Sequence, residues 1–277
     1  MLQMLLKEIE HFLEEDTGQG DYEPIVPHTD SKAEITAKEE GVLAGLEEVK
    51  EILDYLSVQY STGFEDGARI RSGDTILTVR GAGAKILKAE RLVLNFMGRM
   101  SGIATLTDTL VNEARKVNRR IKVAGTRKTT PGFRKYEKKA IKIGGGDPHR
   151  FGLYETGIIK DKHIKLMGLE NAITKAKEST SFTKKIEVEV ESIAEALRAA
   201  ELKVDIIMLD NMTAAEVKDC VRLLSDKGLR DGLILEASGG INRANISYFA
   251  STGVDVVSVG MLTHSAKWLG FSMNVVE

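Results

Sequence analysis

The sequence predicts an α/β protein: an N-terminal α+β sandwich domain followed by an incomplete, open parallel α/β barrel. Three observations carry this reading. Residues 121–125, 156–159, 185–190, 205–209, 233–237 and 254–259 are short apolar runs of strand length, separated by stretches of helix length. Such strand–helix repeats imply right-handed crossovers and parallel pairing. The six runs fall short of the eight strands of a closed barrel, so an open edge is expected, with another subunit as its natural cover. The first part of the chain has a different rhythm, with Gly63, Gly67, Gly73, Gly81 and Gly83 punctuating short strands.

Residues 1–115 are assigned to the first domain, 116–264 to the barrel, and 265–277 to a return onto the first domain. At the start, Leu2, Leu5, Leu6, Ile9, Phe12 and Leu13 share one helical face. Lys7, Glu8, Glu10 and His11 interrupt that stretch, which a secretory signal would not tolerate. A strand at 33–39, a helix at about 46–56 and strands at 58–61 and 75–79 follow. A long helix over 85–118 carries Leu87, Leu92, Leu94, Phe96 and Met97, and Ser101-Gly102 predicts a break in it. In the barrel, helices are expected at 134–142, 169–178, 193–201, 214–226 and 244–250.

Bulk composition narrows the function. Lys plus Arg number 39 against 41 Asp plus Glu, so the basic excess of a general nucleic-acid binder is missing. The single Cys220 excludes an intrachain disulfide and a thiolate zinc cluster, and fits a reducing cytoplasm. No apolar run approaches the ~20 residues that span a bilayer. The expectation is a cytoplasmic protein with no membrane and no nucleic-acid partner.

In parallel α/β folds the C-terminal strand ends meet at one face, where ligands bind. Residues 126–165 hold eleven Lys/Arg against four Asp/Glu, a local surplus in a near-neutral chain. Lys135, Lys138, Lys139 and Lys142 fit a solvated helix face. Arg127, Lys128, Arg150 and Lys160 instead flank strand ends or the Gly144-Gly145-Gly146 run, where cations serve anionic ligands better than packing. His149 stands beside Arg150 after that run. Glu187, Glu189 and Glu191 alternate along one face of their strand, and Asp210 ends the next one. Carboxylates at adjacent strand ends can hold Mg²⁺ with a phosphate, hold ribose hydroxyls, or steady a developing cation. Ser238-Gly239-Gly240 and Gly260 follow the last two strands, where barrel enzymes often cradle a phosphate. The matching ligands are a phosphorylated sugar and a small polyanionic acceptor.

The segment Thr126-Arg127-Lys128-Thr129-Thr130-Pro131-Gly132 resembles the signature of the quinolinate phosphoribosyltransferase family. Gly144-Gly145-Gly146 with His149-Arg150, Lys160-Asp161 with His163, Glu187 to Glu191, Leu209-Asp210-Asn211 and Ser238-Gly239-Gly240 match the family in order. Glu90-Arg91, Leu94-Asn95 and residues 101–105 extend the match into the first domain. The resemblance implies transfer of phosphoribosyl from PRPP to quinolinate with Mg²⁺, giving nicotinate mononucleotide, pyrophosphate and CO₂. It implies a homodimer, or an oligomer of dimers, in which each barrel edge meets the partner's N-terminal domain. Carried onto this chain, it has Arg127, His149, Arg150 and Lys160 bind the quinolinate carboxylates, joined by Arg91 from the neighbouring subunit. Lys128, Glu189, Asp210, Ser238, Gly239, Gly240, Gly260 and His264 then hold PRPP and its metal. Lys128, Lys160, Glu189 and Asp210 are the expected catalytic set, with Glu189 and Asp210 as metal ligands. Lys162 departs from the family by placing a further cation beside Asp161, and the segment from Asp16 to Asp21 is given no ligand role. Nicotinate phosphoribosyltransferase activity on the same scaffold and a non-catalytic PRPP or nucleotide sensor are the rival readings.

Overall fold

The structure, a computed structural model, describes Met4, residues 6–18 and residues 29–276. Leu2, Leu5 and residues 19–21 of the N-terminal expectations lie outside the described residues. The elements are α1 (Leu6–Thr17), β1 (Asp30–Ala37), β2 (Gly41–Val42), α2 (Leu46–Tyr55), β3 (Gln59–Ser61), β4 (Arg69–Ile70), β5 (Thr75–Ala82) and α3 (Gly83–Val117). There follow β6 (Lys122–Ala124), α4 (Arg134–Ile143), β7 (Gly157–Ile159), α5 (Asp161–Met167), α6 (Leu169–Ser179), β8 (Ile186–Val190) and α7 (Ile193–Glu201). The chain continues through β9 (Ile206–Asp210), α8 (Ala214–Asp226), β10 (Ile234–Ser238), α9 (Ile246–Ala250), β11 (Val256–Ser258), α10 (Met261–His264) and β12 (Phe271–Val276). Packing divides it into two units, Met1–Leu106 with Ala266–Glu277, and Thr107–Ser265. The sequence-based boundary at 115 sits further along the same helix, α3.

In the first unit an antiparallel sheet has the order β12-β1-β5-β3. Ala33, Ile35 and Ala37 of β1 are buried and alternate with more exposed neighbours, the period-two pattern of a sheet covered on one face. Leu46, Val49, Ile52 and Leu53 form the buried stripe of α2. The predicted break at Ser101-Gly102 does not occur, and α3 runs on without interruption. Those small residues serve close contact instead. Ser101 Oγ accepts the Ala44 N–H at 2.9 Å and donates to the Ala44 carbonyl at 3.1 Å. A Cβ on Gly102 would stand 1.9 Å from the Lys267 carbonyl oxygen.

The second unit is an open barrel of six parallel strands in the order β6-β11-β10-β9-β8-β7. Chain order would place β6 beside β7, and that is where the barrel stays open. A single bridge from Ala124 to Asp147 stands on the β6 side of the seam. Val188, Val190, Ile207, Leu209, Leu235, Ala237 and Val257 are buried along the strands, as helix-covered parallel sheets require. The α5 helix was not anticipated, because its seven residues are too short for a helical period to register.

Lys138 corrects the solvated reading of α4: it is fully buried, while Lys142 is exposed. Its ammonium donates to the Pro148 carbonyl and lies 5.3 Å from the centre of the Phe151 ring. On the same helix Glu137 accepts the Thr130 N–H at 3.1 Å and its hydroxyl at 2.9 Å. Arg134 donates to Thr129 Oγ1 and to the Phe151 carbonyl. The helix thus grips two loops at once, 126–133 and 147–152.

Gly102→Ala should lower unfolding stability by about 1–3 kcal/mol in urea titrations, since the added methyl meets backbone rather than a movable side chain. Burial lowers the pKa of Lys138 from 10.5 to about 8. A lysine with a depressed folded pKa weakens the fold while charged, and that penalty fades as pH rises from about 8 toward 10.5. Relative to Lys138→Met, the native chain should therefore gain about 2 kcal/mol between pH ~7.5 and ~10. A flat difference across that range would show the amine to be solvated.

Candidate active site

A cavity of about 340 Å³ opens at the C-terminal ends of the barrel strands. Each strand delivers a side chain or loop to it. After β6 come Gly125, Thr126, Arg127 and Lys128, and before β7 come His149 and Arg150. Lys160 follows β7, Glu189 lies near the end of β8, Asp210 ends β9 and Ser238 ends β10. Parallel register sets Asp210 directly beside Ser238, and Glu189 beside Met208.

The cationic side is held ready for an anion. Arg127 and Lys128 are exposed, and their side chains make no hydrogen bond among the described residues. Their loop is fixed from behind: the Lys128 N–H donates to Thr126 Oγ1 at 3.1 Å, and its carbonyl accepts the Thr263 hydroxyl at 2.7 Å. Arg150 is 9% exposed and donates from Nη1 to the Thr156 carbonyl at 2.8 Å. Burial and then the nearby Arg127 lower its pKa, although a guanidinium remains charged. A carboxylate between the two arginines relieves both effects. Lys160 Nζ meets Glu189 Oε2 at 2.5 Å and so joins the cationic and acidic sides. The Lys160 N–H donates to His163 Nδ1, which gives His163 a structural role at the start of α5.

On the other side, Asp210 accepts the Asn211 amide at 2.7 Å. Asn211 has φ 56° and donates its N–H to the Ser238 carbonyl. Gly239 has φ 96°, and a Cβ there would stand 2.6 Å from the Asn211 nitrogen, so glycine is required twice over. Gly240 also has a left-handed φ of 60° and faces open space. Gly260 lies against His264 and Lys128, with a Cβ position 3.1 Å from His264 Nε2. His264 Nδ1 is 2.6 Å from Ser265 Oγ.

Eight sequence-predicted residues thus line one cavity: Arg127, Lys128, His149, Arg150, Lys160, Glu189, Asp210 and Ser238. Gly239, Gly240 and Gly260 belong to the loops after β10 and β11, and His264 ends the short helix α10 that follows Gly260. Arg91 is exposed on the part of α3 that lies in the first unit. Lys162 is exposed on α5 and does not line the cavity.

Sequence reasoning missed the floor of the site. Glu236 and Ser258 line the cavity while only 3% and 4% exposed, and the Ser258 hydroxyl donates to Glu236. His149 Nε2 lies 3.3 Å from the other Glu236 oxygen. Glu187, 1% exposed, has no hydrogen-bond partner on either carboxylate oxygen among the described residues. Burial and then Glu236 raise its pKa well above the usual carboxylate range. For His149 the largest influence, burial, lowers the pKa, and the hydrogen bond and charge of Glu236 more than offset it. A lone carboxylate inside the apolar run Leu233-Ile234-Leu235-Glu236-Ala237 was the available signal.

The chain matches the quinolinate phosphoribosyl transferase N-terminal domain over residues 19–101 and the C-terminal domain over residues 103–274. It is 47% identical over 253 residues to an Archaeoglobus fulgidus protein named "Probable nicotinate-nucleotide pyrophosphorylase (carboxylating)", covering 91% of this chain and 97% of that one. A protein of the same name from Methanothermobacter thermautotrophicus is 46% identical over 244 residues, 88% of each chain. The crystal structure of NadC from Streptococcus pyogenes superposes with a TM-score of 0.89 at 39% identity, covering 98% of this chain and 96% of that one. With both domain families matched in order and the strand ends arranged around one cavity, the chain belongs to the quinolinate phosphoribosyltransferase family.

Proposed function

We propose that this chain transfers the phosphoribosyl group of PRPP to quinolinate and releases pyrophosphate and CO₂, leaving nicotinate mononucleotide. The observation that carries the reading is the division of one cavity into a cationic side, Arg127, Arg150 and Lys160, and an acidic side, Glu189 and Asp210. Quinolinate bears two adjacent carboxylates, and two guanidinium groups with an ammonium match that charge. Lys128 and the Ser238-Gly239-Gly240 and Gly260 loops take the phosphates of PRPP.

Glu189 and Asp210 also fit Mg²⁺. They are hard oxygen donors from neighbouring strand ends, both facing the cavity, and leave room for phosphate and water oxygens. Held by Glu189 and Asp210, the metal would supply positive charge to offset that on the leaving pyrophosphate. As the bond from ribose C1 to pyrophosphate breaks, positive charge develops on the sugar, and the two carboxylates stabilise it electrostatically. The quinolinate nitrogen then bonds to C1 and becomes cationic. The pair of electrons left when the adjacent carboxylate departs as CO₂ is stabilised by that cationic nitrogen, and a proton from water completes the ring carbon. The protein supplies position and charge and needs no nucleophile.

The working unit in this proposal is a homodimer, with Arg91 of one chain completing the acid subsite of the other. The open seam between β6 and β7 supports it by leaving strand edges for a partner to cover. We also assign the chain to the cytoplasm. Buried Cys220, its thiol pushed up to about 11 by desolvation, is chemically quiet, and no described helix is long and apolar enough to cross a membrane.

PRPP-dependent release of labelled CO₂ from quinolinate tests the activity, with nicotinate as the competing substrate. Turnover of nicotinate alone would transfer the assignment to the mono-acid reaction, and tight PRPP binding without any product would mark a sensor. Arg127→Ala should mainly raise KM for quinolinate, whereas Asp210→Ala should mainly lower kcat and weaken PRPP use. Each loss should reach about 2–4 kcal/mol in kcat/KM.

A further inference from the structure

His149 has neither ring nitrogen to spare. Its Nδ1 accepts the backbone N–H of Arg150 at 2.8 Å, which requires a lone pair there. The proton of the neutral ring, assigned from this contact, therefore sits on Nε2 and points at Glu236 Oε2, 3.3 Å away. The charge of Glu236 favours a second proton on the ring, but an imidazolium would confront the Arg150 amide with another N–H. The amide contact decides the tautomer. Glu236 is in turn fixed through its second oxygen by the Ser258 hydroxyl. The backbone is held just as firmly. His149 has φ 54°, a left-handed conformation that is unfavourable for a non-glycine residue. Its N–H donates to Asp147 Oδ1 at 2.8 Å, and Lys138 holds the preceding carbonyl of Pro148.

We propose that Ser258 and Glu236 are positioning residues for the acid subsite, acting through His149 on Arg150. In this arrangement Glu236 fixes the His149 ring through Nε2, and Nδ1 holds the peptide N–H of Arg150, the residue that reaches the substrate. That departs from the expectation that His149 binds a quinolinate carboxylate. It rests on the reading of the site as a pyridine-carboxylate subsite. A metal ion is the competing explanation, because His149, Glu187 and Glu236 bring possible ligand atoms within 4.8 Å of one another. Ligation would need a lone pair on Nε2, and the Arg150 amide already claims the one the neutral ring has.

Steady-state kinetics and nitrogen NMR test the proposal together. Glu236→Ala should raise KM for quinolinate about 10–100-fold and leave KM for PRPP within about 2-fold. Glu236→Gln, which can accept from His149 and donate to Ser258, should restore most of the loss. In an Arg150→Ala background, Glu236→Ala should add little further, since its effect travels through Arg150. In protein labelled with ¹⁵N-histidine, the His149 signal, assigned by its loss in His149→Asn, should show a neutral ring protonated on Nε2. Saturating quinolinate should leave it there. The proposal is overturned if Glu236→Ala acts at full strength without Arg150, if KM for PRPP rises equally, or if Glu236→Gln fails to rescue. It also fails if the ring is protonated on Nδ1, or if one equivalent of divalent metal co-purifies and is lost with Glu236→Gln. If the protein uses nicotinate instead of quinolinate, the proposed reaction falls, while the same variants read with nicotinate still decide this inference.

Discussion

Parallel register from β7 to β11 sets Glu189 beside Met208, Met208 beside Glu236, and Asp210 beside Ser238. A strand's side chains alternate between faces, so a slip of one residue in β8 would turn Glu187 and Glu189 out of the barrel and drive Val188 in. The site depends on that register because its functional atoms come from different strands. The short apolar residues between the charged ones hold it: Val188, Ile207, Leu209, Leu235 and Ala237 are all fully buried. Packing and chemistry are thus specified by alternate positions of the same five-residue strands.

Charge is arranged in the barrel as two internally repulsive sets. Burial and then Arg127 lower the pKa of Arg150, and burial and then Glu236 raise that of Glu187. Each set is unfavourable by itself, and the ion pair from Lys160 to Glu189 joins them. A ligand with separate anionic and incipient cationic regions relieves both. Such preorganised electrostatics stabilise a transition state without rearrangement at the moment of reaction, at the expense of some folding stability. The stabilising elements lie outside the cavity, in the Thr213 to Glu216 capping box of α8 and in the polar anchors of α4.

The strands and helices of the barrel were readable because their apolar periods are local, and α7 and α8 begin and end at the residues the pattern indicates. The cationic and acidic residues at strand ends were equally legible, since a charge beside an apolar run is conspicuous. What escaped depends on partners distant in sequence. Lys138 looked like part of a solvated face, and only Pro148 and Phe151 folded against it make it an internal anchor. Ser101-Gly102 carried the local signature of a helix break, but contacts with Ala44 and Lys267 determine what those residues do. Glu236 was passed over because a carboxylate in mid-strand has no visible function until Ser258 and His149 arrive beside it.

The grip of α4 on both loops has a consequence for anyone who would redesign acid selectivity. Residues 126–133 and 147–152 are not separable modules, because Arg134, Glu137 and Lys138 anchor them from a single turn of helix. Grafting either loop from a relative without its helix would leave a buried ammonium or carboxylate facing the wrong backbone. The transplantable piece is the whole loop–helix–loop cassette.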